Sequence, residues 1–352
     1  MARNLCSRNG YAANAKKKAL AASKILPSIS TLSSWLTNEF NQHAVAIAFI
    51  AGQDVKYHFH GLADLATATA LNNDTKFEIG SISKPLTALA TLAVAKENGW
   101  QLEQPLSSLF SLPQFSKHQY TLAELISHRS GLPRLPTNIS VDDMTDPYAN
   151  YNLTNLLEAA ARTEFSDRTF HYSNYGYGIL GSLLTHDLKQ SYSDIMHQRV
   201  FKALDMTTAV VQTVGVNIDK LATGYAINGE PVPHWHFDSM AGAGSIVASI
   251  DDMVAMLQTV FKQKDQNSII ERWLTPLTLA DKPAMTVGWM LNNDLLWHNG
   301  QTSGFASFIA FNPKQQVGIV VLSNIAIPVN ELGLLLLKEW TTQAQQQKGE
   351  TE

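Results

Sequence analysis

The segment that decides the fold is Phe77-Glu78-Ile79-Gly80-Ser81-Ile82-Ser83-Lys84-Pro85-Leu86-Thr87. Ser81 and Lys84 stand three residues apart, which places both side chains on one face of a helix. A serine hydroxyl needs a nearby base to become a nucleophile, and a desolvated lysine can serve when its pKa falls. We therefore predict a nucleophile at Ser81 and its base at Lys84. The four residues also fit a helix N-cap serine with a surface lysine, so the interpretation depends on the surrounding sequence.

The residues after Ser81 predict a helix that ends at Asn98-Gly99, which is typical of a C-terminal cap. Pro85 suits the first turn, because the backbone N–H that proline lacks would have no intrahelical partner there. The apolar stripe of this helix consists of Leu86, Leu89, Ala90, Ala93 and Val94. The pattern places the Ser81 segment at a junction between a strand-rich region and a helix.

Strands are predicted near both ends of the chain, at residues 44–51, 55–60, 287–291, 295–298, 305–311 and 317–322. Capping boxes (Thr121 with Glu124, and Ser249 with Asp252) indicate that the middle is mostly helical. Strands at both ends around a helical middle imply one sheet built from both termini with a helical domain inserted between them. The predicted division is a basic, disordered leader at 1–28, a sheet domain at 29–75 and 240–340, a helical domain carrying the nucleophile at 76–239, and a frayed tail at 341–352.

A second motif, Phe170-His171-Tyr172-Ser173-Asn174-Tyr175-Gly176, precedes another helical pattern. A phenol becomes a useful acid or base beside a cation such as Lys84, which makes Tyr172 a candidate catalytic residue. Asn174 offers an amide that can hold the lysine or a substrate carbonyl. Taken alone, Tyr-x-Asn is also an ordinary turn signal.

A third motif, Trp297-His298-Asn299-Gly300-Gln301-Thr302-Ser303-Gly304-Phe305, joins two predicted strands. Gly300 would let a substrate run close along the strand edge. The backbone N–H groups of Gln301 and Ser81 are expected to form an oxyanion hole, where losing one donor typically costs about 2.7 to 4 kcal/mol of barrier. By itself, His298 also fits an ordinary histidine at a strand end.

In this chain order, the three motifs resemble the serine β-lactamase and penicillin-binding-protein-like superfamily, in its class C-like branch. The resemblance extends from about Ala44 to Asn324 and includes the blocks Leu125–Pro133 and Ala241–Gly244. It implies a β-lactamase/transpeptidase-like α+β fold, in which a mixed, mainly antiparallel sheet flanked by helices lies beside a mostly helical domain. The site would lie in the cleft between them.

The same resemblance implies roles for individual residues. Ser81 would be the nucleophile, Lys84 the proton acceptor during acylation, and Tyr172 the acid or base toward the leaving group and the hydrolytic water. The residues implied to bind the substrate or its oxyanion are Asn174, His298, Gly300 and Gln301. The branch needs no cofactor, so we expect none, and we expect no metal site.

The third motif departs from most class C β-lactamases, which carry Lys-Thr-Gly where this chain has His298-Asn299-Gly300. A lysine is a permanent cation, whereas a histidine with a pKa near 6.5 is mostly neutral at pH 7 and anchors a carboxylate weakly. His-x-Gly is more similar to the esterase and D-amino-acid peptidase members. If His298 binds a carboxylate, affinity for anionic substrates should fall between pH 5.5 and 7.5.

Three functions follow from these motifs. The first is a serine hydrolase of small-molecule esters or peptides, either a carboxylesterase or a D-amino-acid peptidase-like enzyme. The second is a class C-like β-lactamase, whose substrates are β-lactams. The third is a penicillin-binding or sensing protein that is acylated at Ser81 and releases its product slowly.

Composition limits the other possibilities. The chain has 352 residues, of which 45% are hydrophobic and 16% charged, which is enough for a large core. Its first 24 residues carry six basic and no acidic side chains, so the remaining chain has a balance of −10 and no nucleic-acid footprint. Neither a secretory signal nor a membrane span is evident, which predicts a cytoplasmic location as printed, or a periplasmic one if the natural leader differs. The sequence does not set the oligomeric state.

Overall fold

The computed structural model describes residues 28–110, 112–140, 145–264, 268–278 and 283–349. The predicted basic leader therefore lies outside the described residues except for its last residue, and so do the final three residues of the tail. The domain division given above remains a prediction.

The helices of the described residues are α1 (Leu32–Phe40), α2 (Ser83–Asn98), α3 (Leu106–Leu109), α4 (Leu122–Ile126), α5 (Leu153–Arg162), α6 (Asn174–Leu188), α7 (Tyr192–Met196), α8 (Ile250–Gln263), α9 (Ile269–Leu274) and α10 (Asn330–Gly349). Short 3₁₀ turns lie at Ile29–Thr31, Gly80–Ile82, Pro113–Phe115, Lys202–Leu204 and Ala241–Ala243, with a π turn at His197–Phe201. The strands are β1 (Val45–Ala51), β2 (Asp54–His60), β3 (Leu62–Asp64), β4 (Thr69–Ala70), β5 (Lys76–Glu78), β6 (Val210–Val211), β7 (Gly224–Tyr225), β8 (Pro231–Val232), β9 (Ile246–Ser249), β10 (Ala284–Met285), β11 (Met290–Asn292), β12 (Leu295–Gln301), β13 (Ala306–Asn312) and β14 (Val317–Ser323).

The central sheet has seven strands in the order β10-β11-β12-β13-β14-β1-β2. Every neighbouring pair is antiparallel. Strand β1 pairs with β14 from the other end of the sequence, with Val45 opposite Ser323 and Ala51 opposite Val317. The sheet is therefore built from both ends of the chain, and the predicted α+β class with a mainly antiparallel sheet is confirmed.

Strand β1 is covered on both faces, which explains its unbroken run of apolar residues. Ala48 and Ile50 belong to the larger core, which also contains buried side chains of α2 and α8. Ile47 and Phe49 belong to a second core, which contains buried side chains of α1 and α10. The sheet is thus a middle layer between two groups of helices.

Sequence-predicted caps agree with the structure. Thr121 and Glu124 form a complete capping box before α4, and Ser249 and Asp252 form another before α8. Helix α2 ends at Gly99, which takes the left-handed conformation with φ of 69°. These local signals fix the C-terminal end of α2 and the N-terminal ends of α4 and α8.

Two predicted boundaries differ from the structure. The strand expected at 287–291 is two short strands, β10 and β11, joined by a turn in which Gly288 has φ of 92°. Helix α10 runs to Gly349, past the predicted helix end at Trp340. Residues 341–349 are rich in Gln, which favours helix even without an apolar stripe.

The turn at Ala241–Ala243 packs closely against α6. A Cβ added to Gly242 would lie 2.2 Å from the Tyr177 carbonyl oxygen and 3.2 Å from the Gly181 Cα. Because the obstacles are backbone atoms, no side-chain rotation can relieve the contact. Gly242 therefore sets the distance between this turn and α6.

Hydropathy along the described helices gives no candidate for a membrane-crossing segment.

We predict that Gly242→Ala lowers the free energy of unfolding by about 3 kcal/mol or more, at the upper end of overpacking costs. The matched control is Gly99→Ala, where a Cβ meets nothing within 4 Å and only the left-handed φ opposes the substitution. That control should cost about 1 kcal/mol. Urea unfolding of both variants checks the prediction, and equal losses would contradict it.

Candidate active site

Ser81 lies in the 3₁₀ turn Gly80–Ile82, between β5 and α2. Strand β5 is held by β9, with Phe77 opposite Ala248. Gly80 has φ of 51°, and a Cβ there would lie 2.7 Å from the backbone nitrogen of Gln301. Strand β12 therefore packs directly against the turn that carries Ser81, and this approach requires glycine.

Lys84 is fully buried in the first turn of α2. Its Nζ lies 2.8 Å from Ser81 Oγ and donates a hydrogen bond of 2.7 Å to the Ala243 carbonyl oxygen. Burial lowers the pKa of Lys84 well below its usual 10.5, and the positive charge of Arg134 lowers it further. A neutral amine in this place can accept the Ser81 hydroxyl proton while keeping its bond to the carbonyl.

Tyr172 lies beside the same two residues. Its phenol forms a hydrogen bond with Ser81, and Lys84 Nζ stands 5.0 Å from the centre of its ring. Burial raises the pKa of Tyr172 above its usual 10, although the hydrogen bond with Ser81 and the charge of Arg134 act against this. Burial thus disfavours the charged form of both groups, because it lowers the pKa of Lys84 and raises the pKa of Tyr172. The catalytic role of Tyr172 stays a prediction.

Asn174 begins α6 and lines the same cavity. Its amide nitrogen donates to the Tyr148 hydroxyl at 3.0 Å, while its Oδ1 is buried without a hydrogen-bond partner. Lys84 is held by Ser81 and Ala243 rather than by this amide. The remaining predicted role of Asn174, to position a substrate, fits an unpaired polar group at the cavity wall.

His298 is buried on β12, and its ring is neutral. Nδ1 lies 2.8 Å from the Asn299 carbonyl oxygen, which can only accept, so Nδ1 carries the proton and Nε2 has a free lone pair. Nε2 is buried without a partner. Burial lowers the pKa of His298 to about 3, with a smaller contribution from the charge that a protonated Lys84 would carry. The sequence-based pKa near 6.5, and the pH window of 5.5 to 7.5 derived from it, are therefore wrong.

Gly300 and Gln301 complete the third motif. A Cβ on Gly300 would lie 2.0 Å from the Ile79 carbonyl oxygen and 2.4 Å from Ser307 Oγ. The close approach that this glycine permits is therefore to the protein's own Ile79 backbone, and Gly300 is absent from the described cavity lining. Gln301 does line the cavity, and its side chain donates to the Ala326 carbonyl at 3.1 Å. The backbone nitrogen of Gln301 lies close to the Ser81 turn, where an oxyanion donor must lie.

One cavity of about 350 Å³ is lined by Ser81, Tyr172, Asn174, His298 and Gln301. Its described lining comprises Gly80, Ser81, Arg134, Tyr148, Tyr172, Asn174, Trp235, Phe237, Ala243, Gly244, Met290, His298, Asn299 and Gln301. Tyr148 and Trp235 supply aromatic surface to this lining. Tyr151 is not among the described lining residues, and its hydroxyl donates to Asn138 Oδ1 at 2.8 Å.

Three residues near the site were not singled out from the sequence. Arg134 lines the cavity and directly follows the block Leu125–Pro133 quoted for the family resemblance, and its position next to that block was the available signal. His128 stacks on Tyr172 with ring centres 4.4 Å apart, and its Nδ1 accepts from the Ser173 backbone N–H at 3.1 Å. Glu78 is buried, accepts from the Trp235 backbone N–H at 2.9 Å, and has its pKa raised by burial to about 8.

Histidine pairs do not form a metal centre within the described ranges. His234 contacts the Ala222 carbonyl at 3.0 Å, and His236 pairs with Asp146 at 2.8 Å. His58 and His60 are half-buried on β2. No group of three or more His, Cys, Asp or Glu side chains suited to a metal ion occurs in the part of the chain that the structure describes. The prediction that no cofactor is needed stays a prediction.

Comparison with characterised proteins finds relatives that align with this chain over only part of their own length. The chain is 28% identical over 288 residues to Protein flp of Staphylococcus aureus strain N315, covering 76% of this chain and 56% of that protein. It is 24% identical over 324 residues to Unguisins hydrolase ungD' of Aspergillus campestris, covering 83% of this chain and 60% of the relative. The chain thus spans little more than half the length of these relatives.

Solved structures share the fold over nearly their whole length. A β-lactamase/D-alanine carboxypeptidase from Pseudomonas syringae matches with a TM-score of 0.75 and 21% identity, covering 90% of this chain and 98% of that one. A class C β-lactamase from Rhodobacter sphaeroides matches with a TM-score of 0.73 and 20% identity, covering 90% and 98%. The family model described as Beta-lactamase matches residues 37–335, which include all seven predicted site residues. With this match over most of its length, the chain belongs to the Beta-lactamase family.

Proposed function

We propose that this protein is a serine hydrolase that cleaves ester or amide bonds through an acyl-enzyme on Ser81, as a carboxylesterase or a D-amino-acid peptidase-like enzyme. The observation that carries the proposal is the fully buried Lys84 amine, 2.8 Å from Ser81 Oγ and with a lowered pKa. The partners of this buried lysine are a neutral hydroxyl and a carbonyl, so the lysine does not serve to balance the charge of a buried acid. Its position is that of a base for the serine.

Acylation follows from this geometry. Lys84 takes the Ser81 proton as Oγ bonds to the substrate carbonyl carbon, and the carbonyl oxygen becomes an oxyanion. The backbone N–H groups of Ser81 and Gln301 stabilise that oxyanion. Tyr172 then gives its proton to the leaving oxygen or nitrogen as the old bond breaks, and the proton held by Lys84 restores the phenol.

Deacylation reverses these roles. A water molecule loses its proton to the Tyr172 and Lys84 pair while its oxygen attacks the acyl carbon. The same two backbone N–H groups hold the second oxyanion. Its collapse releases the acid and returns a proton to Ser81 Oγ, so the resting state is restored.

The preference for esters or peptides over β-lactams is supported by His298. Its neutral ring presents an Nε2 lone pair, which accepts a hydrogen bond from a substrate N–H or O–H, so the third motif itself offers no cation to the carboxylate of a β-lactam. The relatives include a protein named as a hydrolase of unguisins and a structure described as both β-lactamase and D-alanine carboxypeptidase.

We predict that the wild type hydrolyses p-nitrophenyl butyrate much faster than a chromogenic cephalosporin, and that Ser81→Ala abolishes both activities. The control is Ser108→Ala, an exposed serine in α3. Steady-state rates with both substrates, and circular dichroism to verify folding, check this. Rapid cephalosporin turnover would identify a β-lactamase instead, and full activity in Ser81→Ala would remove the nucleophile assignment.

The same assay separates an enzyme from a sensor. A stoichiometric burst of p-nitrophenol followed by negligible steady-state turnover would show that Ser81 is acylated but not freed. We expect continued turnover, because Tyr172 lies within hydrogen-bonding reach of Ser81.

We predict that Tyr172→Phe lowers kcat/KM for ethyl butyrate, which reports acylation, about 100-fold or more, within the usual range for losing a general acid. The loss in kcat/KM for p-nitrophenyl butyrate should be clearly smaller, because p-nitrophenolate departs without a proton. Tyr57→Phe, in the edge strand β2, is the control. Equal losses for the two esters would contradict a proton-donating role for Tyr172.

We predict that the ratio of kcat/KM for a carboxylate-bearing ester to that for its neutral counterpart is constant from pH 5.5 to 7.5. His298 is already neutral throughout this range, because its pKa is lowered to about 3. The ratio cancels any shared titration of Lys84. A fall in the ratio as the pH rises would show that a protonated His298 binds the anion.

A further inference from the structure

Arg134 gives the candidate cavity its charge. No Asp, Glu or Lys is among the described lining residues, and His298, the other ionisable nitrogen base there, is neutral. The guanidinium group of arginine is a permanent cation in proteins. The cavity therefore carries a single positive charge on the side chain of Arg134.

The guanidinium is free to bind a ligand. Arg134 is exposed, and in the described part of the chain it forms no ion pair with a carboxylate. Two other arginines of the described residues do pair with acids: Arg168 with Glu124 at 3.0 Å, and Arg199 with Glu97 at 2.9 Å. Arg134 differs from them in facing a cavity rather than an acid.

Hydrogen bonds to the backbone just after Tyr172 set the position of Arg134. The Arg134 carbonyl oxygen accepts from the backbone N–H groups of Asn174 at 2.9 Å and Tyr175 at 3.2 Å. The guanidinium carbon lies 5.2 Å from the centre of the Tyr172 ring, against which Lys84 Nζ lies at 5.0 Å. A substituent a few bonds from the scissile carbonyl is therefore within reach of this cation.

We propose that Arg134 is a specificity-determining residue that binds a carboxylate on the ester or amide substrate. The inference rests on the proposed hydrolase function and adds a substrate class to it. A guanidinium holds a carboxylate through two parallel hydrogen bonds, which a neutral His298 cannot provide. The anion-binding group of this cavity is thus the Arg134 guanidinium, which lies beside the Tyr172 ring. The third motif contributes a hydrogen-bond acceptor, His298 Nε2, instead.

Two matched pairs of substrates test the proposal. On the acyl side, mono-p-nitrophenyl adipate is compared with its methyl ester, which has the same chain without the charge. On the leaving-group side, 4-carboxyphenyl butyrate is compared with its methyl ester. The measured quantity is the anionic-to-neutral ratio of kcat/KM for wild type, Arg134→Gln, Arg134→Lys and the charge control Arg168→Gln.

We expect the wild-type ratio to exceed that of Arg134→Gln by about tenfold or more in at least one pair, as for a charge-assisted hydrogen bond. Arg134→Lys should restore part of the ratio, Arg168→Gln should leave it unchanged, and added salt should reduce it. The pair that responds locates the carboxylate. A change in the pKa of Lys84 on removal of Arg134 would affect the hydrolysis of both substrates of a pair alike. The ratio therefore cancels this effect.

Different results would overturn the Arg134 assignment and the hydrolase proposal. If neutral esters are hydrolysed in a Ser81-dependent manner but Arg134→Gln changes neither ratio, the assignment of Arg134 is overturned and the hydrolase function stands. If Ser81→Ala retains the activity toward neutral esters, the hydrolase proposal itself is overturned.

Discussion

The buried amine of Lys84 is the constraint on which the rest of the site depends. An ammonium ion without a counter-charge is expensive to bury, so burial lowers the pKa of the amine, which is held by one hydroxyl and one carbonyl. The carbonyl belongs to Ala243, whose turn is pressed against α6 by Gly242. The hydroxyl belongs to Ser81, whose turn is pressed against β12 by Gly80. Glycines that allow backbone contacts therefore define where the base can lie.

Much of this arrangement is predictable from the sequence, because the signals are local and ordered. The capping boxes, the Gly99 cap and the apolar run of β1 report on neighbouring residues or on burial, and each predicted element forms. The order of the Ser-x-x-Lys, Tyr-x-Asn and His-x-Gly motifs indicated the family. Its fold then brings Ser81, Tyr172 and Gln301 to one cavity although they are far apart in the chain.

Other features depend on tertiary contacts that sequence patterns do not contain. The protonation of His298 follows from burial and from a bond between Nδ1 and the next carbonyl, so a reference pKa gave the wrong pH window. Gly300 was expected to make room for substrate, but Ile79 occupies that space. Arg134 was overlooked because an isolated arginine carries no motif, and its meaning comes from a cavity lining without acids.

The central claim is that Ser81 becomes acylated during turnover. The most direct measurement is mass spectrometry of protein quenched with acid during hydrolysis of p-nitrophenyl butyrate, followed by peptide mapping. The account predicts a butyryl adduct on the peptide that contains Ser81, at higher occupancy when Tyr172→Phe slows deacylation. An adduct on another residue, or steady turnover with no adduct under any quench condition, would contradict it.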